Sequence, residues 1–154
     1  MPYAAPLEML ADASGSVSFG WADDGVYYAR FGRSLSARLG EAFAARLAEV
    51  AQGVETLKYF GDARSVDSYD LLARRAFIRV VAAHRQRFTE LNLLWWNGDD
   101  IGESCVRALG EPLYVTKNAV DFEARLLVAA PRAKSKLLSA PPGSALRARW
   151  PLRR

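Results

Sequence analysis

Acid–base or nucleophilic chemistry would have to rest on very few side chains. His84 is the only histidine and Cys105 the only cysteine of the 154 residues. His84 falls on the apolar face of a predicted helix and Cys105 stands next to Val106, so both are interpreted as core side chains. The sequence contains no glycine-rich phosphate-binding motif and no cluster of carboxylates with histidines. We therefore expect no enzymatic activity, no metal site and no cofactor.

A short polar segment precedes a predicted helix and contains Asp67, Ser68, Tyr69 and Asp70. A serine at a helix start accepts a hydrogen bond from the first turn, and a carboxylate there interacts favourably with the helix dipole. The same helix carries three arginines, Arg74, Arg75 and Arg79. The arginines give this helix a positive face that could receive an acidic partner, and an ordinary solvated helix face is the alternative.

The chain before this segment predicts a β-hairpin and a helix. Residues 17–21 and 26–31 are rich in β-branched and aromatic residues, and Asp24 and Gly25 between them favour a tight turn. Apolar residues then recur at helical spacing, at Leu39, Phe43, Leu47 and Val50. Ser34 or Ser36 can cap the start of this helix, and Gly53 can end it in the left-handed conformation.

The remaining elements continue the alternation. Residues 54–60, 91–96 and 113–116 are predicted strands, and 91–96 has the nearly unbroken apolar pattern of a strand buried on both faces. A second helix follows Asp67 and Ser68 and runs to about residue 87, with Phe77, Val81, His84 and Phe88 on its apolar face; residues 101–109 and 120–130 are two further helices. This order predicts an α/β fold whose mixed β-sheet has parallel central strands and packed helices.

Two motifs and the element order resemble the STAS domains of bacterial anti-sigma-factor antagonists. Gly32 matches the glycine that closes the second strand of that family, and residues 66–70 (VDSYD) match its Asp-Ser-Ser/Thr-Gly segment. Tyr69 and Asp70 stand where the family has a small hydroxyl residue and glycine, and Tyr59 stands where an aspartate is usual. The likeness implies a STAS-like domain over residues 16–131, with an N-terminal extension at 1–15 and a tail at 132–154.

The resemblance implies a regulatory role for Ser68. In the antagonist family the matching serine is phosphorylated by a kinase that is also the anti-sigma factor, and the phosphate prevents binding. Ser68 with Asp67 would then be the switch. The partner surface that the resemblance implies consists of Tyr69 and Asp70 together with Arg74, Arg75 and Arg79 of the helix that follows. Asp70 would repel a phosphate in this sequence, and a helix cap alone is the competing interpretation of Ser68.

Positive charge is concentrated in the tail. Residues 132–154 contain seven basic and no acidic side chains, whereas residues 1–131 contain 14 basic and 17 acidic ones. The high pI therefore does not indicate a nucleic-acid-binding body. Prolines at 141, 142 and 151 predict a flexible segment, whose candidate contacts are Arg147, Arg149, Arg153 and Arg154.

Other classes of function stay open. A SEC14-like protein of a related fold would hold a hydrophobic ligand, with Tyr27, Tyr28, Phe31, Trp95 and Trp96 as candidate lining residues. The basic tail could bind nucleic acid or another anionic surface, with an affinity that falls steeply with salt. Self-association through an open sheet edge is a further alternative.

The sequence predicts a cytoplasmic location. The first 13 residues lack a basic stretch followed by an apolar run, and no apolar window reaches the length of a membrane span. A lone cysteine forms no intrachain disulfide, which fits a reducing compartment.

Overall fold

The computed structural model describes residues 7–95, 108–110 and 113–135. Its sheet has six strands in the order β1 to β6, so that neighbours in the chain are neighbours in the sheet. The strands are β1 (Glu8–Ala11), β2 (Gly15–Asp23), β3 (Val26–Leu35), β4 (Leu57–Tyr69), β5 (Phe88–Leu94) and β6 (Leu113–Thr116). The first two pairings are antiparallel, and those of β3 with β4, β4 with β5 and β5 with β6 are parallel. The predicted mixed sheet with parallel central strands is confirmed.

Helices cover both faces of this sheet. The helices are α1 (Ala37–Gln52), α2 (Leu71–Ala83) and α3 (Ala119–Ala129). Helices α1 and α2 pack together on one face, where Leu39, Phe43 and Leu47 join a core with Tyr59 and Leu91. Helix α3 covers the other face through Phe122 and Leu126, which pack with Tyr28 and Phe60. Because the parallel strands are buried on both sides, their sequences lack a clean alternation of polar and apolar residues.

The predicted hairpin and first helix are confirmed, with one difference at the helix end. Gly25 has φ of +70°, the conformation that the turn between β2 and β3 requires. Ser36 caps α1, since its hydroxyl accepts a hydrogen bond from the Leu39 N–H at 3.0 Å. Gly53 follows the helix with φ of −86°, so the predicted left-handed conformation at this residue is wrong.

Strand β4 is much longer than the predicted strand at 54–60. It runs for 13 residues to Tyr69, because the Asp62 carboxylate is neutralised by Arg64 and can be buried. Helix α2 therefore begins later, at Leu71, and ends at Ala83. Phe88, predicted on the face of this helix, is the first residue of β5.

The segments that flank the predicted domain, 1–15 and 132–154, both contain residues that pack against it. Strand β1 lies within segment 1–15, predicted as an extension, and pairs with β2 along all four of its residues. Beyond α3, Ala133 is fully buried and Arg132 forms an ion pair with Asp23. The Arg132 Nε donates to the Asp23 carboxylate at 2.9 Å. These contacts attach the first described residues of segment 132–154 to the sheet. Most of the predicted helix at 101–109 and all residues from 136 onwards lie outside the described residues.

Candidate functional site

Ser68 lies in a strand, and the prediction that it caps the second helix is wrong. Long strand β4 carries Ser68 as its penultimate residue, where it pairs with Ser34 of β3. The cap of α2 is Asp70, whose carboxylate accepts a hydrogen bond from the Leu72 N–H at 2.8 Å. Serine and aspartate are both favoured at a helix N-cap, so the sequence pattern does not distinguish Ser68 from Asp70. Because β4 extends through Ser68, the cap of α2 is Asp70.

The Ser68 side chain is exposed and belongs to a row of hydroxyl groups. Its Oγ lies 2.7 Å from the Oγ of Ser34. Nearby, Asp12 accepts hydrogen bonds from the hydroxyls of Ser14 at 2.5 Å and Ser36 at 2.6 Å. These two hydroxyls, Ser14 first, lower the pKa of Asp12 to about 2. The carboxylate therefore ties the start of α1 to the loop after β1.

Two leucines are exposed beside Ser68. Leu71 is 58% and Leu72 49% accessible, although both begin a helix that packs against α1. Asp67 and Asp70 precede them, and Arg75 and Arg79 follow on exposed positions of α2. We call the surface made by these residues and Ser68 the docking face. The sequence analysis missed the leucine pair, although two adjacent apolar residues at the start of an amphipathic helix cannot both face the core.

Tyr69 and Arg74, predicted on the partner surface, are half-buried and belong to a different cluster. The ring of Tyr69 packs edge-on against Trp95, with 5.4 Å between the ring centroids. The Arg74 guanidinium lies 5.9 Å from the centroid of the Tyr69 ring, and its Nη1 donates to the Tyr69 hydroxyl at 3.4 Å. These three side chains form the rim of a pocket.

The pocket is an apolar cavity of about 80 Å³ between the sheet and helices α1 and α2. Its walls come from strands β3, β4 and β5 and from both helices. They include Phe31, Phe43, Tyr59, Ala63, Phe77 and Leu93. The cavity opens at the ends of the parallel strands, which is where ligands bind in many α/β proteins.

The hydroxyl of Tyr59 is a polar group in these apolar surroundings. Tyr59 is fully buried, and its hydroxyl has no hydrogen-bond partner among the described residues. The centroid of the Phe77 ring lies 5.6 Å from that of the Tyr59 ring, and Gly61 leaves room for the hydroxyl because it has no Cβ. Burial raises the pKa of Tyr59 well above its ordinary value, so the group stays neutral and can donate a hydrogen bond.

Only some of the aromatic residues predicted to line a SEC14-like pocket lie around the cavity. Phe31 and Trp95 line the cavity, but Tyr28 faces the opposite side of the sheet and packs with Phe60. Tyr27 is buried in the core without lining the cavity, and Trp96 lies outside the described residues. Residues 27 and 28 cannot share a face, because successive side chains of a strand point to opposite sides.

The remaining candidates have structural contacts or lie outside the described residues. His84 follows α2 as its C-cap, half-buried, with Nδ1 at 2.9 Å from the Val80 carbonyl oxygen. Cys105 and the tail residues Arg147, Arg149, Arg153 and Arg154 are outside the described residues. Within the part of the chain that the structure describes, no group of histidine, cysteine and carboxylate side chains could hold a metal ion. None of the helices described has the length and apolar character needed to cross a bilayer.

Comparison with known proteins shows a similarity of fold to a solved structure. No protein-family model and no curated protein matches the chain. Among solved structures, the chain resembles an uncharacterized protein of the DUF3478 family with a SpoIIAA-like fold from Shewanella loihica PV-4. The two share 14% sequence identity with a TM-score of 0.53, over 76% of this chain and 98% of the other. The described architecture and this similarity together show that the chain has a SpoIIAA-like, and therefore STAS-like, fold.

Proposed function

We propose that this protein is a non-catalytic interaction module that binds a protein partner through its docking face. The observation that carries the proposal is the exposure of Leu71 and Leu72 next to Ser68. An apolar pair surrounded by charged residues is the composition of a small interaction surface, in which the apolar side chains are buried on binding.

The charges around the leucines would orient the partner. Asp67 and Asp70 precede the pair in the chain, and Arg75 and Arg79 follow it on exposed positions of α2. A partner with basic groups opposite the aspartates and acidic groups opposite the arginines would be favoured over one with the reverse arrangement.

A phosphate on Ser68 would oppose such binding. It would separate the Ser68 hydroxyl from that of Ser34 and place negative charge beside Asp67 and Asp70. Since Ser68 precedes the capping residue by two positions, the backbone N–H groups of α2 are engaged by Asp70 and not by Ser68. Repulsion on the docking face is therefore the expected effect of modification.

Site-specific photo-cross-linking in the native host tests the proposal. A photoreactive amino acid at position 72 should cross-link one protein reproducibly, whereas the same amino acid at Val128 should not. Val128 is the matched control, since it is an exposed apolar residue of α3 on the opposite face of the sheet and is 83% accessible. Equal cross-linking from both positions, or none from position 72, would contradict a docking role.

Substitutions then measure the contribution of each group to binding of the cross-linked protein. Leu72→Asp should weaken binding by about 10-fold or more, the range of an interface hot spot, and Val128→Asp should leave it unchanged. Ser68→Asp should also weaken binding if Ser68 is a switch, whereas Ser68→Ala should bind normally. A phosphate on Ser68, found by mass spectrometry of protein from the host, would support regulation of this kind.

The other functions considered have less support. The cavity is far smaller than a lipid tail requires, and two of the proposed SEC14-like aromatic residues do not line it. Binding of nucleic acid or an anionic surface through the tail rests on residues outside those described. Self-association through a sheet edge would use β1 or β6, strands of four residues each, which are short for an edge-to-edge interface.

A further inference from the structure

The cavity beneath α1 and α2 opens next to the docking face. Tyr69 and Ala73 line the cavity, and the three residues between them in the chain, 70–72, belong to the docking face. The rim is formed by Tyr69 together with Trp95 and Arg74. A partner that covers the exposed leucines therefore also covers the opening of the cavity.

The walls of the cavity favour an apolar group. They include the rings of Phe31, Phe43 and Phe77. Side chains that line a cavity have fewer van der Waals contacts than close-packed ones, and apolar walls offer water no hydrogen bonds. An apolar side chain from the partner would supply the additional contacts. Side chains that fill a pocket within an interface often contribute most of its binding energy.

The volume restricts the size of this side chain. The cavity measures about 80 Å³, against roughly 150 Å³ for an engineered apolar cavity that holds benzene. It therefore has room for about three or four carbon atoms, the size of a valine or leucine side chain. An aromatic ring is too large for this space.

The charge of α2 indicates which residues lie next to this side chain in the partner. Residues 71–89 contain five arginines and no acidic side chain. Arg74 lies at the rim, and Arg75 and Arg79 are exposed. Among the described residues, none of these three lies within ion-pair distance of a carboxylate. Acidic groups beside the apolar side chain would therefore be attracted to this part of α2.

We propose that the cavity binds one aliphatic side chain of the partner, carried by a segment with acidic residues next to it. The aliphatic group packs between the phenylalanine rings of the walls, and the acidic groups pair with Arg75 and Arg79. Arg79 lies about 7.5 Å along the helix axis from Arg74, a distance that about two residues of an extended segment span. This inference rests on the proposed docking function and adds the chemistry of the segment that the docking face recognises.

Three capped pentapeptides separate the apolar contribution from the charged one. Gly-Leu-Glu-Glu-Gly has both features, Gly-Ala-Glu-Glu-Gly has a smaller side chain, and Gly-Leu-Lys-Lys-Gly has the opposite charge. We expect a Kd of about 1 mM for the first peptide, weakened about 10-fold by alanine and about 3- to 10-fold by the lysines. Titration of the full chain followed by two-dimensional amide NMR gives each Kd and shows whether the shifts centre on Ala63, Leu93 and Trp95.

Three variants assign the contacts. Ala63→Leu adds a larger side chain to the wall of the cavity, so it should remove the preference for the leucine peptide over the alanine peptide. Ala124→Leu is the matched control, because it makes the same change at an exposed position of α3, on the opposite face of the sheet, and should keep the preference. Arg79→Gln should weaken both acidic peptides by about 2- to 5-fold and leave the preference for leucine unchanged.

Several results would overturn the inference. It is wrong if the native protein binds the leucine and alanine peptides equally, or if Ala63→Leu keeps the preference of the native protein. It is equally wrong if no cavity residue shifts at a peptide concentration about 20-fold above the expected Kd. Amide spectra of each variant without peptide establish that it is folded.

The partner identified by cross-linking separates this inference from the docking function. Ala63→Leu should weaken that partner by about 10-fold, whereas Ala124→Leu should bind it normally. If position 72 cross-links a partner that Ala63→Leu binds as tightly as the native protein, the inference about the cavity fails and the docking function stands. If position 72 cross-links nothing although the native protein prefers the leucine peptide, the docking function fails instead.

Discussion

Asp12 and Asp70 are the carboxylates that hold the two helix starts next to the site. Asp12 accepts the hydroxyl of Ser36, which itself caps α1, and Asp70 caps α2 directly. The start of each helix thus depends on one acidic side chain near the protein surface. The role of each carboxylate can be tested by substitution.

Alanine substitutions at Asp70 and at Ser68 should differ in their effect on stability, because only Asp70 caps α2. We expect Asp70→Ala to lower the free energy of unfolding by about 0.5–2 kcal/mol, because the Leu72 N–H loses its acceptor. Ser68→Ala loses only an exposed hydroxyl pair with Ser34 and should cost no more than about 0.5 kcal/mol. Urea denaturation of the two variants compares them, and a larger loss for Ser68→Ala would contradict the assigned cap.

The lowered pKa of Asp12 predicts a dependence of stability on pH. The folded-state pKa of Asp12 is about 2, below its ordinary value of 3.8, so the unfolded chain takes up the proton first as the pH falls. The contribution of Asp12 is therefore complete above about pH 4 and is lost between about pH 4 and pH 2.

Asp12→Asn supplies the comparison. The variant should be less stable than the native protein at neutral pH, and the difference should shrink as the pH falls to about 2, because only the native protein then loses a carboxylate. Thermal unfolding at a series of pH values measures this difference. A difference that stays constant from pH 7 to 2 would show that the Asp12 charge does not contribute.

At the scale of the elements, the contact between α1 and α2 shapes the cavity. Gly40 of α1 lies against Ala73 of α2, and a Cβ built on Gly40 would come within 2.6 Å of the Ala73 Cα. Both residues line the cavity, so the small side chains that bring the helices together also shape its wall.

Gly40→Ala should therefore destabilise the protein although alanine is the better helix former. The added methyl group forces the two helices apart, at a cost of about 1–3 kcal/mol, which exceeds the gain of about 1 kcal/mol from helix propensity. Gly53→Ala is the control, because Gly53 has φ of −86° and its nearest neighbour to a built Cβ is 3.6 Å away. Chemical denaturation measures both variants, and a more stable Gly40→Ala protein would disprove the close helix contact.

At the scale of the whole molecule, the first residues of the basic segment 132–154 pack against the sheet. The hydrogen bond from Arg132 lowers the pKa of Asp23, a nearly buried residue at the end of β2. Ala133 is fully buried with Ala22 and Phe122 in the smaller core. The boundary predicted at residue 131 therefore cuts through contacts that belong to the folded body.

Two truncations should differ in their effect on the melting temperature. Removal of residues from 139 onwards should leave the Tm nearly unchanged, because proline and unopposed positive charge predict little contribution to stability. Removal from Pro131 onwards also deletes Arg132 and Ala133 and should lower the Tm by about 5 °C or more. A comparable drop for the shorter deletion would show that the tail packs against the body or a second subunit.

Local patterns in the sequence determined the succession of strands and helices. The turn at Gly25, the helical spacing of Leu39, Phe43 and Leu47 and the apolar strand near Leu91 are properties of neighbouring residues, and each appears in the structure. Their order restricts the topology to a mixed sheet, since parallel neighbours need a crossover connection between them. This is why the fold could be predicted without the coordinates.

The tertiary structure decided the ends of the elements and the composition of the site. Strand β4 continues past Asp62, because the buried Asp62 carboxylate pairs with Arg64, which also pairs with Glu123, a residue far away in the chain. That extension moved the helix cap to Asp70 and turned Tyr69 towards Trp95. The cavity is formed by side chains from three strands and two helices, so its volume and the unpartnered hydroxyl of Tyr59 depend on packing between distant segments, which no local pattern specifies.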